Sequence, residues 1–343
     1  MKLTYRPYTL ELRHVFTLAS SSRSTTPAVL VALESDGYTG YGEASLPPYL
    51  GESQSAAAGF LSRLRLEPFS LSRPLEEVLD YVRHAEEGHT AAKAAVDIAL
   101  HDLYGKAAGK AWWQLWGLDP AAVPYTSYTI GIDTEEVVRQ KTREASGFRL
   151  LKVKLGRDTD RMLLSAIRSE TDCPICVDVN QGWTDKYQAL EMLHWCAGQG
   201  VVFAEQPMPV SQIDDLAWLT ERSPIPTIAD ESFQRLADLE RIQGVFSGVN
   251  IKLMKCTGMD EAYRIAAAAR TSGLKVMLGC MTETSCAISA AAQLSSLADW
   301  TDLDGNLLIS NDCFRGARLQ EGKVLPTDAP GIGAVLTEPS LFL

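Results

Sequence analysis

Eight charged residues stand at or near the ends of short apolar runs, where charge is least expected. Lys152 and Lys154 interrupt LLKVKLG, Asp178 follows PICV, Glu205 follows GVVFA, Asp230 follows PTIA, Lys252 follows GVNI, and Asp302 and Asp304 frame DLD. Strand side chains alternate faces, so Lys152 and Lys154 share one face, and so do Asp302 and Asp304. An isolated buried charge is expensive unless it is paired or bound to a metal, so this set must neutralise itself. Three carboxylates from consecutive runs, Asp178, Glu205 and Asp230, suit Mg²⁺ better than zinc, with waters or substrate completing an octahedron. No cluster of His or Cys competes, because His14, His84, His89, His101 and His194 all lie outside these runs. Taken singly, each acid is also a good helix N-cap just past a strand. Three in succession favour the metal.

The lysines suggest the chemistry. Lysine is a base only when neutral, and its free pKa is about 10.4. Desolvation and nearby positive charge lower it. Lys152 one pleat away and a cation close by therefore favour a neutral Lys154. Lys154 and Lys252 would flank a carboxylate held by the metal. One removes the α-proton, Mg²⁺ and neighbouring ammonium groups stabilise the enediolate, and the other returns a proton to the opposite face. Inversion of configuration, as racemisation or epimerisation, is the expected outcome. Lys152 and Lys154 alone would also fit an exposed edge strand, but a closed barrel has no edge.

The elements that must position these residues follow a beat. The strand-end charges recur roughly every 25 residues, enough for one strand, one helix and two loops. VPYTSYTIGI, RLLKVKL, PICVDVN, GVVFAEQ, PTIADE, GVNIKLM, LKVMLGC and DWTDLD make eight strands of a (β/α)8-type barrel, whose active site lies at the C-terminal strand ends. After DLDG, the segment NLLISNDCFRGARLQEGKVLP has no clear helical pattern. An eighth helix is therefore not expected, and the tail is free to run back to the first domain. Residues 1–118 differ. LTYRPYTLEL and PAVLVALESDGYTGYGEA read as strands with a turn at Ser35-Asp36-Gly37, and the Ala-rich TAAKAAVDIALHDLYGKAAG reads as a long helix with glycine at its end. Strands followed by helices make an α+β unit.

The totals bound the partners. A chain of 343 residues holds one large or two ordinary domains. Its net charge of −11 disfavours nucleic acid and suits a cation and a small-molecule substrate. No apolar run is long enough to span a bilayer, and the N-terminal MKLTYRPYTLELRHVF alternates like a strand without the apolar core of a signal peptide. CAISAAAQLSSLA reads as a packed helix. Seven scattered cysteines, an odd number, suit free thiols in a reducing cytoplasm. Cys173 and Cys176 have C-x-x-C spacing by chance on this reading, since CPIC runs into a strand rather than a helix start. Oligomeric state is left open, and a homo-oligomer is compatible with the composition.

Together the motifs resemble the enolase superfamily, muconate-lactonizing-enzyme subgroup, and within it the dipeptide epimerases. The resemblance runs over nearly the whole chain. AAKAAVDIALHDLYGKAAGKAWWQLWG looks like the end of the family's capping domain, KVKLG like its K-x-K motif, VDVNQGW, AEQPM and IADES like its three metal-ligand strands, and VNIKLMKCTG like its second base strand. The resemblance implies an α/β fold, a modified TIM barrel (β/α)7β over 119–319, with an N-terminal α+β capping domain over 1–118 that the tail from about 320 to 343 rejoins. It implies one Mg²⁺ per subunit on Asp178, Glu205 and Asp230, Lys154 and Lys252 as the acid/base pair, and Lys152 polarising the substrate carboxylate.

For the substrate, Asp302 and Asp304 match the D-x-D that holds the α-ammonium group in dipeptide epimerases, although DLDG is also good turn chemistry. The cap segments 17–27 and 44–53, rich in Ser, Pro or Gly, are expected to close over the substrate as mobile lids. Arg23 occupies the place of an arginine that reads the glutamate side chain in Ala-Glu epimerases; a solvated loop arginine is the plainer alternative. GCMTETS is expected to line the pocket with Cys280, Met281 and Glu283, where Glu283 would favour a different side chain. The implied reaction is Mg-dependent inversion at the C-terminal α-carbon of L-Ala-D/L-Glu or a related Ala-X dipeptide. The alternatives are o-succinylbenzoate synthase or N-succinylamino acid racemase, whose substrates lack a free ammonium, and a non-catalytic ligand-binding barrel, against which the two lysines argue. A mandelate-type racemase would need a histidine base.

Overall fold

Alternating residues at the N-terminus form an antiparallel meander in the computed structural model, which describes residues 1–17 and 22–342. Its strands β1 (Lys2–Thr17), β2 (Ser22–Ser35) and β3 (Tyr38–Ser45) are neighbours in that order. Asp36 and Gly37 take left-handed backbone, φ 52° and 84°, and make the two-residue turn that fits the right-handed twist of a hairpin. Helices α1 (Gln54–Arg63), α2 (Leu75–His84) and α3 (Thr90–Ala108) cover the sheet. Helix α3 is buried almost all round and ends at Gly109, in left-handed backbone. It lies unusually close to β3. A Cβ at Gly40 or Gly42 would collide with the carbonyls of Ala99 or Ala95, so both positions need glycine.

After the short α4 (Trp112–Leu115), strands and helices alternate. They are β4 (Tyr128–Ile130), α5 (Glu135–Glu144), β5 (Leu151–Lys154), α6 (Asp160–Arg168), β6 (Ile175–Asp178), α7 (Lys186–Gly198), β7 (Val201–Glu205), α8 (Ile213–Arg222), β8 (Thr227–Ala229), α9 (Leu239–Ile242), β9 (Gly248–Lys252), α10 (Met259–Thr271), β10 (Lys275–Gly279), α11 (Ser285–Ala292) and β11 (Trp300–Asp302). The eight strands β4 to β11 are parallel and follow chain order. A single parallel bridge between Thr126 and Thr301, with Ser127 N donating to Thr301 O at 3.0 Å, brings the first strand against the last. The first strand is shorter than its apolar run suggests: Ser127 N is spent on this closure, and Thr126 N donates to Gly322 O at 2.8 Å in the returning tail.

No α-helix follows β11 among the described residues. Leu308 O instead accepts from Arg13 N, and Ser310 N donates to Glu11 O, so the chain turns back onto β1. It continues through the short strands β12 (Phe314–Arg315), β13 (Arg318–Gln320), β14 (Lys323–Leu325) and β15 (Val335–Leu336), and Phe342 meets Tyr41 of β3 at 5.9 Å between ring centroids.

One sequence expectation changes here, that for segment 17–27. Of segment 17–27, residues 18–21 lie outside the described residues. The part from Ser22 to Pro27 is not a loop but the start of β2, with Arg23 paired to Phe16. Threonines 25 and 26 supply the β-propensity that carries the ladder this far. In segment 44–53, Pro48–Leu50 form a 3₁₀ turn closed by Gly51 at φ 77°. All seven cysteines are free, those of CPIC included. Among the described residues, no helix is long and apolar enough to cross a membrane.

Candidate active site

Barrel register puts the strand-end charges in one layer. Lys154 pairs with Asp178, Asp178 with Glu205, and Gly279 with both Lys252 and Asp302. Asp230 follows the last residue of β8 directly. Strands β5 and β9 stand four apart in a ring of eight, so Lys154 and Lys252 face one another across the mouth. Strand β5 is wholly buried, Lys152 being 2% exposed and Lys154 7%. That removes the edge-strand reading.

Every ammonium in the layer meets a carboxylate. Lys154 Nζ donates to Asp178 Oδ2 at 2.6 Å, and Lys252 Nζ to Asp230 Oδ2 at 2.7 Å. Lys152 sits among three acids: 2.6 Å from Glu205 Oε2, 2.7 Å from Asp302 Oδ2 and 3.1 Å from Asp178 Oδ2. Two further residues, absent from the sequence reading, complete the set. Asn250 Nδ2 donates to Glu205 Oε1 at 2.7 Å, and Lys255 Nζ donates to Asp230 Oδ1 at 2.6 Å and to the carbonyls of Asp230 and Asn250. Asn250 carried a usable signal, since it lies two residues before Lys252 on the same strand face. Lys255 lies in the turn after the strand, where period-2 reasoning stops. Gly279 makes room for Asn250, because a Cβ there would come within 2.6 Å of its Oδ1.

These pairings set the protonation states. Burial alone would raise Asp178, but Lys154 and Lys152 outweigh it and hold the carboxyl down to about 2. Asp230 is likewise held far below the carboxylate range by Lys252 and Lys255 despite its burial. Glu205 goes the other way. Burial and the charge of Asp178 push it up to about 7, because Lys152 divides its charge among three acids. Burial would lower Lys152 and Lys252, yet their carboxylate partners hold both well above the ordinary lysine value. Lys152 was expected to act on Lys154 as a bare positive neighbour. It does not, since Asp302, Glu205 and Asp178 neutralise it.

A cavity of about 1060 Å³ opens over this layer, lined by Lys152, Lys154, Lys252, Asp302 and Asp304 from the barrel and by Arg23, Tyr49 and Glu52 from the N-terminal unit. Asp302 Oδ1 accepts from Ser127 Oγ at 2.6 Å, and Asp304 Oδ2 from Thr129 N at 2.7 Å. Burial and the neighbouring Asp302 push Asp304 up to about 7. Arg23 does reach the cavity. Its Nη2 lies 3.3 Å from Thr282 Oγ1, and its guanidinium 5.9 Å from the Tyr49 ring centroid. Cys280 and Met281 line the wall. Glu283 does not: it is buried behind the wall, and its Oε1 accepts from Met281 N at 3.0 Å. The turn after β10 folds this side chain onto its own backbone rather than into the opening.

The residues fit a hard divalent cation by donor type. Asp178, Glu205, Asp230, Asn180 and Glu231 offer oxygen only. Glu205 Oε2, Asn180 Oδ1 and Glu231 Oε2 are buried without a hydrogen-bond partner; Glu205 Oε2 lies close to Lys152 Nζ but off the line of a hydrogen bond. The ammonium of Lys152 already occupies a point among three carboxylates. Among the described residues no three acidic, His or Cys groups are gathered at metal-binding spacing.

The chain is similar to known proteins over nearly its whole length. Residues 3–117 match the family described as mandelate racemase / muconate lactonizing enzyme, N-terminal domain, and residues 134–340 match the enolase C-terminal domain-like family. The chain is 56% identical over 336 residues to the L-Ala-D/L-Glu epimerase of Bacteroides thetaiotaomicron, covering 98% of this chain and 88% of that protein. Its fold matches the substrate-liganded L-Ala-D/L-Glu epimerase of Bacillus subtilis with a TM-score of 0.90 at 27% identity, over 98% of both chains. It also matches the dipeptide epimerase of Enterococcus faecalis, solved with Mg and L-Leu-L-Tyr, with a TM-score of 0.88 at 30% identity, over 97% of this chain and 98% of that one. With matching family domains in sequence and the same cap-and-barrel architecture, the chain belongs to the mandelate racemase / muconate lactonizing enzyme group of the enolase superfamily.

Proposed function

We propose that this protein is an isomerase, a dipeptide epimerase that inverts the C-terminal α-carbon of L-Ala-D/L-Glu or a closely related Ala-X dipeptide. The carrying observation is the pair of buried ammonium groups, Lys154 and Lys252, on opposite strands of one cavity that also presents Asp302 and Asp304. The 56% identical relative points to the glutamate-containing substrate.

Asp178, Glu205 and Asp230 are the residues that would hold Mg²⁺. When bound, the ion supplies Lewis-acid polarisation of the substrate carboxylate and stabilises the charge that develops as the α-proton leaves. The chain's own groups do the rest. A carboxylate engaged by a divalent cation offers less charge to an ammonium, which favours the neutral lysine that proton abstraction needs. Lys154 and Lys252 then take and return the α-proton from opposite faces. Lys152 faces the substrate carboxylate and meets the growing negative charge. Asp302 and Asp304 hold the α-ammonium of the alanine residue, and Arg23 faces the C-terminal side chain. We further propose that residues 1–118, with the returning tail 320–343, act as a cap on the catalytic barrel 119–319.

The test is NMR of L-Ala-L-Glu in D₂O with Mg²⁺. Loss of the C-terminal α-proton signal at constant total dipeptide is the expected result. Exchange with N-acyl amino acids but with no dipeptide would instead favour the succinylamino acid racemase alternative.

A further inference from the structure

We propose that Glu43 is a positioning residue for the substrate pocket. It is a carboxylate of the N-terminal sheet that holds the barrel segment 280–284 in place through the start of α11. The proposal rests on the epimerase reading above for its kinetic part only.

Glu43 lies on β3, fully buried. Its carboxylate accepts from Thr284 N at 2.9 Å, from Thr284 Oγ1 at 2.5 Å and from Ala287 N at 3.3 Å. Thr284 is the N-cap of α11, and its own Oγ1 accepts from Cys286 N. The first amides of a helix have no partner within it and carry partial positive charge. Here an acid from another part of the fold serves two of them, Ala287 N and, just before the helix, Thr284 N. Two residues along β3, Ser45 Oγ donates to Thr282 O at 2.6 Å. One strand face therefore grips both ends of the short segment 282–284. The grip is rigid on its own side, because Gly40 and Gly42 seat β3 directly on the backbone of α3.

What the segment carries gives the contact its consequence. Cys280, Met281 and Thr282 line the cavity. The segment also packs on the loop after β11. A Cβ at Gly305 would collide with Met281 O and come within 3.0 Å of Cys280 Sγ. Releasing Thr284 would thus loosen one pocket wall and the support beside Asp304 together, while Lys154 and Lys252 keep their own strands. Binding should suffer more than proton transfer.

A hydrogen bond to a charged acceptor is strong enough that its loss should raise KM for L-Ala-L-Glu about tenfold in E43A, with kcat changed by less than about threefold. The ratio of kcat/KM between L-Ala-L-Glu and an L-Ala dipeptide with an apolar C-terminal residue should shift. E43Q, which keeps one acceptor oxygen, should recover most of the loss, and T284A should fall between. Amide hydrogen exchange of residues 280–287 should quicken in E43A whatever the substrate proves to be. A folded E43A with unchanged KM, unchanged ratio and unchanged protection of 280–287 overturns the proposal, as does a loss confined to melting temperature. If E43A does not fold, E43Q and T284A decide by the same readouts. Faster exchange at 280–287 in a protein that epimerises no dipeptide would reject the epimerase reading and keep the positioning role.

Discussion

Two of the regions where this molecule buries carboxylates neutralise them differently. At the barrel mouth, Asp178, Glu205 and Asp230 meet Lys152, Lys154, Lys252 and Lys255 at ion-pair distance. At the seam between β3 and α11, Glu43 and Glu283 are buried with hydrogen bonds from backbone amides and a threonine hydroxyl; among the described residues no ammonium or guanidinium hydrogen-bonds to either. The consequence is visible in their acidity. Lysines hold Asp178 down to about 2. Burial pushes Glu43 up to about 7 against the pull of Thr284, and burial with the charge of Glu43 pushes Glu283 up to about 8. Residue type decided neither outcome. Mobile counter-charges suit a site where protons and ligands exchange, whereas fixed amides suit a joint that must hold its shape.

The comparison can be broken most forcefully at the mouth. Removing Lys154 or Lys252 as alanine should lower epimerisation by about 10³-fold, the range for a general acid or base. In D₂O each variant should still exchange the α-proton of one epimer, and a different epimer for each. Exchange of both epimers by either variant would show that one base suffices. The next effect concerns orientation of the proposed metal ligands. K255M should weaken Mg²⁺ activation by roughly 10- to 100-fold, as outer partners of metal ligands do, measured by Mg²⁺ titration of a protein shown to be folded. An unchanged titration would make Lys255 merely structural. Smaller again, D304N should raise KM for a dipeptide by about tenfold and leave any N-acyl amino acid unaffected. Equal loss for both would remove Asp304 from the ammonium site.

The seam gives the smallest and most distinctive effect. Glu43 and Glu283 have folded-state values above the ordinary 4.5, so at these two groups the folded state binds more protons than the unfolded chain. Their contribution is complete below about 4.5 and is lost as pH rises through about 7 and about 8. Melting temperature should therefore fall across that window, and E283Q should flatten the fall. D304N should also flatten the part of the fall below about 7, since Asp304 is itself pushed up to about 7, but should leave the part up to about 8 that Glu283 contributes. If E283Q leaves the whole slope intact, the seam is not its source.

How far the sequence carried depends on the range of the interaction involved. Strand alternation put Lys152 beside Lys154 and Asp302 beside Asp304, and the strand–helix beat put Asp178, Glu205, Asp230 and Lys252 at neighbouring barrel positions. All of that is local period plus one topological rule. Asn250 was within reach of the same rule, one pleat before Lys252. Lys255 was not, because a turn has no fixed period. Glu283 was placed in the pocket by proximity to Cys280 and Met281, but the turn after β10 sends it behind the wall.

The chain by itself thus determined which side chains stand on the inner face of each strand and in what order around the ring. Only the tertiary structure decided their partners. Closing the ring brings β11 beside β4 and within reach of β5, which delivers Asp302 to a lysine 150 residues away. Folding the N-terminal sheet over the barrel delivers Glu43 to an amide 241 residues away. Those pairings depend on curvature and on close backbone approach at glycines, which no local pattern encodes, and they set both the charge states of the mouth and the rigidity of the seam.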